Sequence, residues 1–396
     1  MLLKSIKILI FVLIICYVNE VPGMGIASSE PTGLAFWTVG NAEGIYKRFG
    51  KNTSQMLNEL YKEKTELDCF LLALAEQPLT EREILEKCAI PSIRLHHFIT
   101  TLKSINLIKK TGQDNWATTI PVVTDKQMRR IRESLIPLAQ TVAQYLKSEI
   151  PKIKTAYEEG KSETDPAWEE VAHLVIDKFI VDGTFHSNIG IIERERGFKQ
   201  YYSHDQQHIP AFFLEKGPNF STFGTNWYPF KQNNKAREVY ILHGALFYRT
   251  TIPFNHYRNN RDFSKILHRV TPDGRLQALT KSEKKILKEL DWTKNDHLLV
   301  PIIQAKSVKT FMPVIEKIGR GAAEVLFKNH SIIINSFQKS PYAKFMDGGG
   351  DYIQVCYHIL FSEIIKQLIK SGILPVIPES VPEHFGVFIT IGSVFE

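Results

Sequence analysis

Two histidines four residues apart, His204 and His208 in His-Asp-Gln-Gln-His, can share one helix face and ligate a metal ion. No Glu follows the first, so the general base of the helical metalloprotease motif is missing. Cys356 and His358 stand two apart, which on a helix points them in different directions. Asp182 with His186, and the run Glu193-Arg194-Glu195-Arg196, offer acid–base groups, although such alternating charge usually makes a solvated turn or strand edge. Gly319-Arg320-Gly321 is a fragment of a phosphate loop without the trailing residues that give such loops specificity. Gly348-Gly349-Gly350 can present amides to an anion or serve as a plain hinge. Trp227, Tyr228 and Phe230 can line a ligand pocket, or fill a core as such clusters commonly do. There is no nucleophile elbow of the Gly-x-Ser-x-Gly type. These patterns assign no catalytic residue and no cofactor.

Elements must position any such group. Leu67–Ala75, LDCFLLALA, reads as an apolar helix ended at Pro78-Leu79. Thr80 with Glu83 is a capping box that starts a second helix running to about Cys88. Ala89-Ile90-Pro91 is a turn. Ser92 is placed to cap a third helix, with Leu95, Phe98, Ile99, Leu102 and Ile105 on one stripe. Leu107–Thr111 reads as a strand, 112–115 as a turn and Trp116–Val123 as the returning strand. With the stripe buried, Arg94, His97, Thr101 and Ser104 share another face. Lys103 lies beside it, and Lys109 and Lys110 begin the hairpin.

Three short helices and a hairpin over about residues 66–124 resemble the winged helix-turn-helix superfamily, particularly regulators of the ArsR and MarR type. The run LTEREILEKCAIPSIRLHHFITTLKSINLIKKTG carries the likeness. The resemblance implies a third helix that enters the DNA major groove. Arg94 would meet a guanine edge or a phosphate, and Lys109 and Lys110 would touch backbone phosphates. The N-terminal dimerisation domains of many small-molecule O-methyltransferases look similar. Those enzymes carry a Gly-rich cofactor loop after a strand, and none follows Glu163. The expected function is a DNA-binding transcriptional regulator with a C-terminal region that senses an unknown small ligand or mediates assembly. One alternative is an exported or membrane-anchored interaction protein that uses the module as a scaffold. Another is an enzyme with a winged-helix dimerisation domain.

The expected fold class is α+β multidomain: an N-terminal winged helix, an α+β middle region and a mostly helical C-terminal region. The first domain covers 30–155 and ends in a helical pattern over 125–154. Its apolar side holds Ile131, Leu135, Leu138, Val142, Tyr145 and Leu146, and Pro137 and Pro151 should kink or end it. This helix can pair with its twin in a homodimer or pack on its own chain. Residues 156–166 read as a linker. The region 167–290 holds a helix to Phe179, strands at 189–192, 212–214 and 239–250, and a helix capped by Thr280 and Glu283. The region 291–396 is mainly helical, with breaks near Pro313 and Gly319–Gly321. A helix capped by Asp351 follows, running to Lys370, and the tail 387–394 is strand-like.

The 396 residues are 43% hydrophobic and 23% charged, which excludes disorder as the main state. Four Cys exclude a disulfide-dense scaffold. The net charge of +7 permits a polyanionic partner without requiring one. Residues 1–23 read as a signal-like segment, with a basic start and an apolar run from Ile8 to Val18, or as an upstream stretch before a true start at Met24. A start at Met24 would leave Met-Gly-Ile-Ala-Ser-Ser, a myristoylation-like pattern, and three Cys, an odd set suited to reduced thiols in a cytoplasm. Because a DNA reader must be cytoplasmic, that start is slightly preferred, and a genuine leader would place the protein outside.

Overall fold

The computed structural model describes residues 34–38, 49–50, 52–195, 211–215, 223–232, 235–244, 257, 260–276, 278–295, 297–345, 349–377 and 386–394. The leader-like segment, Met24, His204 and His208 lie outside these. Among the described residues no helix is long and apolar enough to cross a membrane.

The fold is mixed α+β, dominated by helices with small sheets. Strand β1 (Leu34–Thr38) precedes α1 (Thr53–Leu60), α2 (Lys64–Glu76), α3 (Glu81–Cys88) and α4 (Ser92–Ser104). Thr80 and Glu83 start α3 through the reciprocal box read from the sequence. Ser92 does not cap α4: Pro91 takes the cap position, and no side chain bonds the first amides. Strands β2 (Ile108–Thr111) and β3 (Asn115–Thr118) form the hairpin, and Leu79 bridges to Trp116 beside it. The returning strand is shorter than expected. Pro121 lacks a donor for the ladder, so β4 (Val122–Val123) is separate and joins another sheet.

Helix α5 (Asp125–Gly160) is a single element of 36 residues that runs straight through Pro137 and Pro151. Both prolines are exposed. The carbonyls they leave unbonded therefore need no protein partner, and neither proline ends the helix. A second capping box, Thr124 with Gln127, starts it. The expected linker is not loose. Its first residues finish α5, Tyr157 donates to the Pro166 carbonyl at 2.6 Å, and Asp165 accepts from the Gln304 amide at 2.7 Å. Helix α6 (Trp168–His173) continues into a π-helical stretch, Leu174–Phe185, and then α7 (His186–Glu195). Residues 189–192, expected as a strand, are therefore helical.

Strands β5 (Ala211–Glu215), β6 (Phe223–Gln232) and β7 (Lys235–Gly244) follow. Then come α8 (Arg261–Arg269), α9 (Lys281–Glu289), the small pair β8 (Thr293–Lys294) and β9 (His297–Leu298), and β10 (Ile302–Gln304). Helix α10 (Ala305–Lys328) is unbroken at Pro313 and at Gly319–Gly321. It is followed by α11 (His330–Gln338), α12 (Gly349–Lys370) and β11 (Val387–Ile391). Two of the three glycines before Asp351 have described backbone, and both are already helical.

Alternation along strands divides the interior into three cores. The sheet β10-β11-β7-β6 is a partition. Tyr240, Leu242, Ile303 and Phe388 face a large helical core, while Val239, Ile241, Ile302 and Ile389 face a smaller one with α8 and α9. The third core belongs to α1–α4 and the hairpin. Strand β5, in the sheet β1-β5-β4, sends Phe213 into it and Phe212 and Leu214 into the large core. Residues of α5 and 167–192 share the large core, and one face of β6 and β7 shares the small core with α8, α9 and β11. The apolar side of α5 is covered by its own chain, against α10 and α12.

Candidate functional site

The exposed side of α4 and the hairpin is where the sequence places contact with DNA. His97, Lys103, Ser104, Lys109 and Lys110 are exposed there and Thr101 is half-buried. Arg94, the residue expected to reach a base, stays partly exposed but is engaged by carboxylates of its own module. Its Nη1 donates to Glu66 at 2.6 Å and lies 3.0 Å from Glu63. That hydrogen bond and the two carboxylate charges hold the guanidinium firmly protonated. They also leave one positive charge beside two negative ones, a surrounding that repels phosphate. Lys110 pairs with Asp114 at 3.5 Å and sits over the Trp116 ring. The Ser104 hydroxyl is spent on the Thr101 carbonyl at 2.7 Å. The first turn of α3 carries Glu81 and Glu83, so its positive dipole end is already answered by carboxylates. Of the seven predicted residues, Lys103 and Lys109 are the cations without an ion pair to a described residue. Ile93, one residue before Arg94, is 82% exposed.

The module also contains a covalent link. Cys69 of α2 and Cys88 of α3 form a disulfide with Cα atoms 5.7 Å apart. Where a start at Met24 led to an expectation of reduced thiols, this pair stands bonded in the structure. The packing of α2 against α3 brings them together across 19 residues of chain. Closing a loop of that length restricts the unfolded chain by about 3 kcal/mol.

A second constellation lies in the large core. The π-helical stretch buries Asp177 and Lys178 within an apolar run. Runs of this kind are rare and gather at functional sites. Gly183 permits the wider turn, since a Cβ there would stand 2.9 Å from the Lys178 carbonyl oxygen. His173 Nδ1 lies 2.8 Å from Asp177 Oδ2, and its Nε2 lies 3.1 Å from the Pro375 carbonyl. Burial opposes charge on His173, but the Asp177 charge and hydrogen bond, with the Pro375 carbonyl, outweigh it and raise the imidazole pKa. Burial likewise pushes the Asp177 carboxyl up. Both shifts act in the same direction, towards holding a proton on the pair. One helix turn on, Lys178 reaches Asp182 at 3.3 Å, the Tyr357 hydroxyl donates to Asp182 at 3.1 Å, and His186 stacks on Tyr357 with ring centres 4.0 Å apart. Asp182 and His186, named together in the sequence reading, each contact Tyr357.

Comparison with known proteins finds no matching family model, no similar curated protein and no similar solved structure.

The remaining sequence candidates separate. Trp227 packs on the large core, whereas Tyr228 and Phe230 belong to the small one on the opposite face of β6, so they do not line one pocket. Gly319 and Gly321 are interior helix positions pressed against Thr184 and Tyr145, not a phosphate loop. Glu195 ends α7 and pairs with Arg320 at 2.8 Å. Cys356 is fully buried and burial pushes its thiol pKa up, which suits packing and not ligation. No group of three or more metal-capable side chains occurs among the described residues. The His173–Asp177 pair went unread in the sequence, although its signal was there: two polar residues four apart in VAHLVIDKFIV.

Proposed function

We propose that the chain is an interaction protein of an oxidising compartment, with its N-terminal winged helix serving as a scaffold and not as a reader of DNA. The observation that carries this reading is the engagement of Arg94 by Glu63 and Glu66. DNA affinity rests largely on cations free to neutralise phosphates, and on the predicted face Lys103 and Lys109 are the cations without an ion pair to a described residue. The Cys69–Cys88 bond and the signal-like leader support the compartment.

One observation favours the regulator reading. The Leu79–Trp116 bridge ties the segment between α2 and α3 to the hairpin, an arrangement suited to a winged helix that binds nucleic acid. The two readings part in two measurements. Thiols of natively expressed protein are alkylated at lysis and the peptides are weighed; a linked Cys69–Cys88 peptide is expected. Duplex DNA of random sequence is titrated at about 50 mM salt, and no saturable binding is expected. Free thiols in the cell, or tight duplex binding that is lost in Arg94→Ala and Lys110→Ala, would overturn the scaffold reading.

A further inference from the structure

A cavity of about 640 Å3 opens where α2 and β4 of the N-terminal module meet α5, α11 and the turn after α11. Its size falls within the range of small-molecule sites, about 300–1,000 Å3. Three cations line it: Arg130, Lys339 and Lys344. All three are exposed, and none makes an ion pair with a described residue. No carboxylate stands among the described lining residues. Three positive charges around one concavity, with no carboxylate among its described lining residues, raise the concentration of anions there.

The rest of the lining is amphipathic. Ile131, Ile332 and Phe345 supply apolar wall, and Phe345 is one of the few large hydrophobic side chains left exposed. The floor is polar. Ser134 Oγ stands 2.6 Å from Ser336 Oγ, which stands 2.5 Å from the Tyr352 hydroxyl inside the core. Ser336 is buried, so this relay fixes hydroxyl groups at the base of the cavity in place.

We propose that this cavity binds an amphipathic organic anion, a carboxylate or phosphate monoester attached to an apolar chain. The head would be held by Arg130, Lys339 and Lys344, and the chain would lie against Ile131, Ile332 and Phe345. Because Ala75 and Val122 come from the N-terminal module and the other residues from the helical body, the ligand bridges the two cores. The site does not depend on how the α4 face is used.

Calorimetric titration of the full chain with decanoate, decyl phosphate, decanol and inorganic phosphate, each below its aggregation threshold, tests the assignment. At least one of the two amphipathic anions is expected to bind about tenfold or more tightly than decanol or inorganic phosphate. The tighter of the two identifies the head group. The double variant Arg130→Met, Lys339→Met should lose about tenfold in that affinity while keeping its urea midpoint, since both side chains are exposed. Four results would each overturn the proposal: no saturable binding of either anion, equal binding of decanol, equal binding of inorganic phosphate, or wild-type affinity in the double variant.

Discussion

At the scale of single residues, what matters is which polar groups the fold takes out of water and how it answers them. Glu363 is buried, yet Arg132 at 2.7 Å and Lys366 at 3.1 Å flank it and bind α5 to α12. Glu238 is buried and accepts from Tyr240, Thr390, Ser393 and the Val394 amide, which fixes the turn after β11. His173 and Asp177 differ, because Asp177 Oδ1 has no partner among the described residues and the pair must hold its own proton. That predicts a pH dependence with a definite sign. The folded imidazole pKa is raised above its ordinary 6.5, so the folded state binds more protons than the unfolded chain once pH exceeds that value. The stability this pair contributes is full below about 6.5 and is lost as pH rises through the folded pKa. Raised Asp177 acts in the same direction. Urea unfolding followed by tryptophan fluorescence should show wild-type stability falling from about pH 6 to about pH 8, with a flatter fall in His173→Gln. Equal slopes in the two proteins would mean that the pair does not take up the proton assigned to it.

At the scale of elements, the sequence was legible where a local rule decides the outcome. The capping boxes at Thr80–Glu83 and Thr280–Glu283 start helices as read, because each satisfies its own orphan amides without help from distant residues. The stripe Leu95, Phe98, Ile99, Leu102 is buried as read, and the segments around Phe213 and Val239 are strands. Reading failed where tertiary contact overrides local preference. Pro137, Pro151 and Pro313 sit inside helices held by packing along their whole length. Gly319 and Gly321 look like loop residues but are notches in α10. A Cβ on Gly319 would stand 2.8 Å from the Phe185 amide nitrogen, which belongs to backbone and cannot yield. The nearest atoms to a Cβ on Gly321 all belong to the Tyr145 side chain, whose far end can swing. In either place alanine gains about 1 kcal/mol of helix propensity. Gly319→Ala should nevertheless destabilise by about 1–3 kcal/mol through overpacking, while Gly321→Ala stays near neutral. Thermal unfolding of the two variants checks this order, and equal midpoints would show that α10 is not wedged against the π-helical stretch. The candidate site was only half legible for a related reason. Residue types on the α4 face could be read, but the carboxylates that engage Arg94 lie about thirty residues earlier and reach it only through the fold.

Across the whole molecule, coupling between the module and the body runs through few elements. Strand β5 is paired with β1 and β4, and its alternating side chains enter two different cores. Glu215 at its end accepts from the Asp125 amide at 2.8 Å, which ties the same strand to the start of α5. Phe213 packs on Phe36 with ring centres 5.4 Å apart, while Phe212 packs on Tyr342 at 5.6 Å, next to the turn that lines the cationic cavity. Neighbouring substitutions should therefore loosen different halves of the protein. A buried Phe→Ala change costs about 3–5 kcal/mol at its own core. In a chain with several cores that cost appears first as local opening, not as one global transition. Phe213→Ala should speed hydrogen exchange in α2 and α4 and leave α10 protected. Phe212→Ala should do so in α5 and α11 and leave α4 protected. If each substitution instead accelerated exchange evenly along the chain, the cores would open as one unit, and β5 would be no more than another packed strand. Selective loosening would make β5 the hinge line of the molecule, and the cavity beside it the place where a bound ligand resists motion between the two halves.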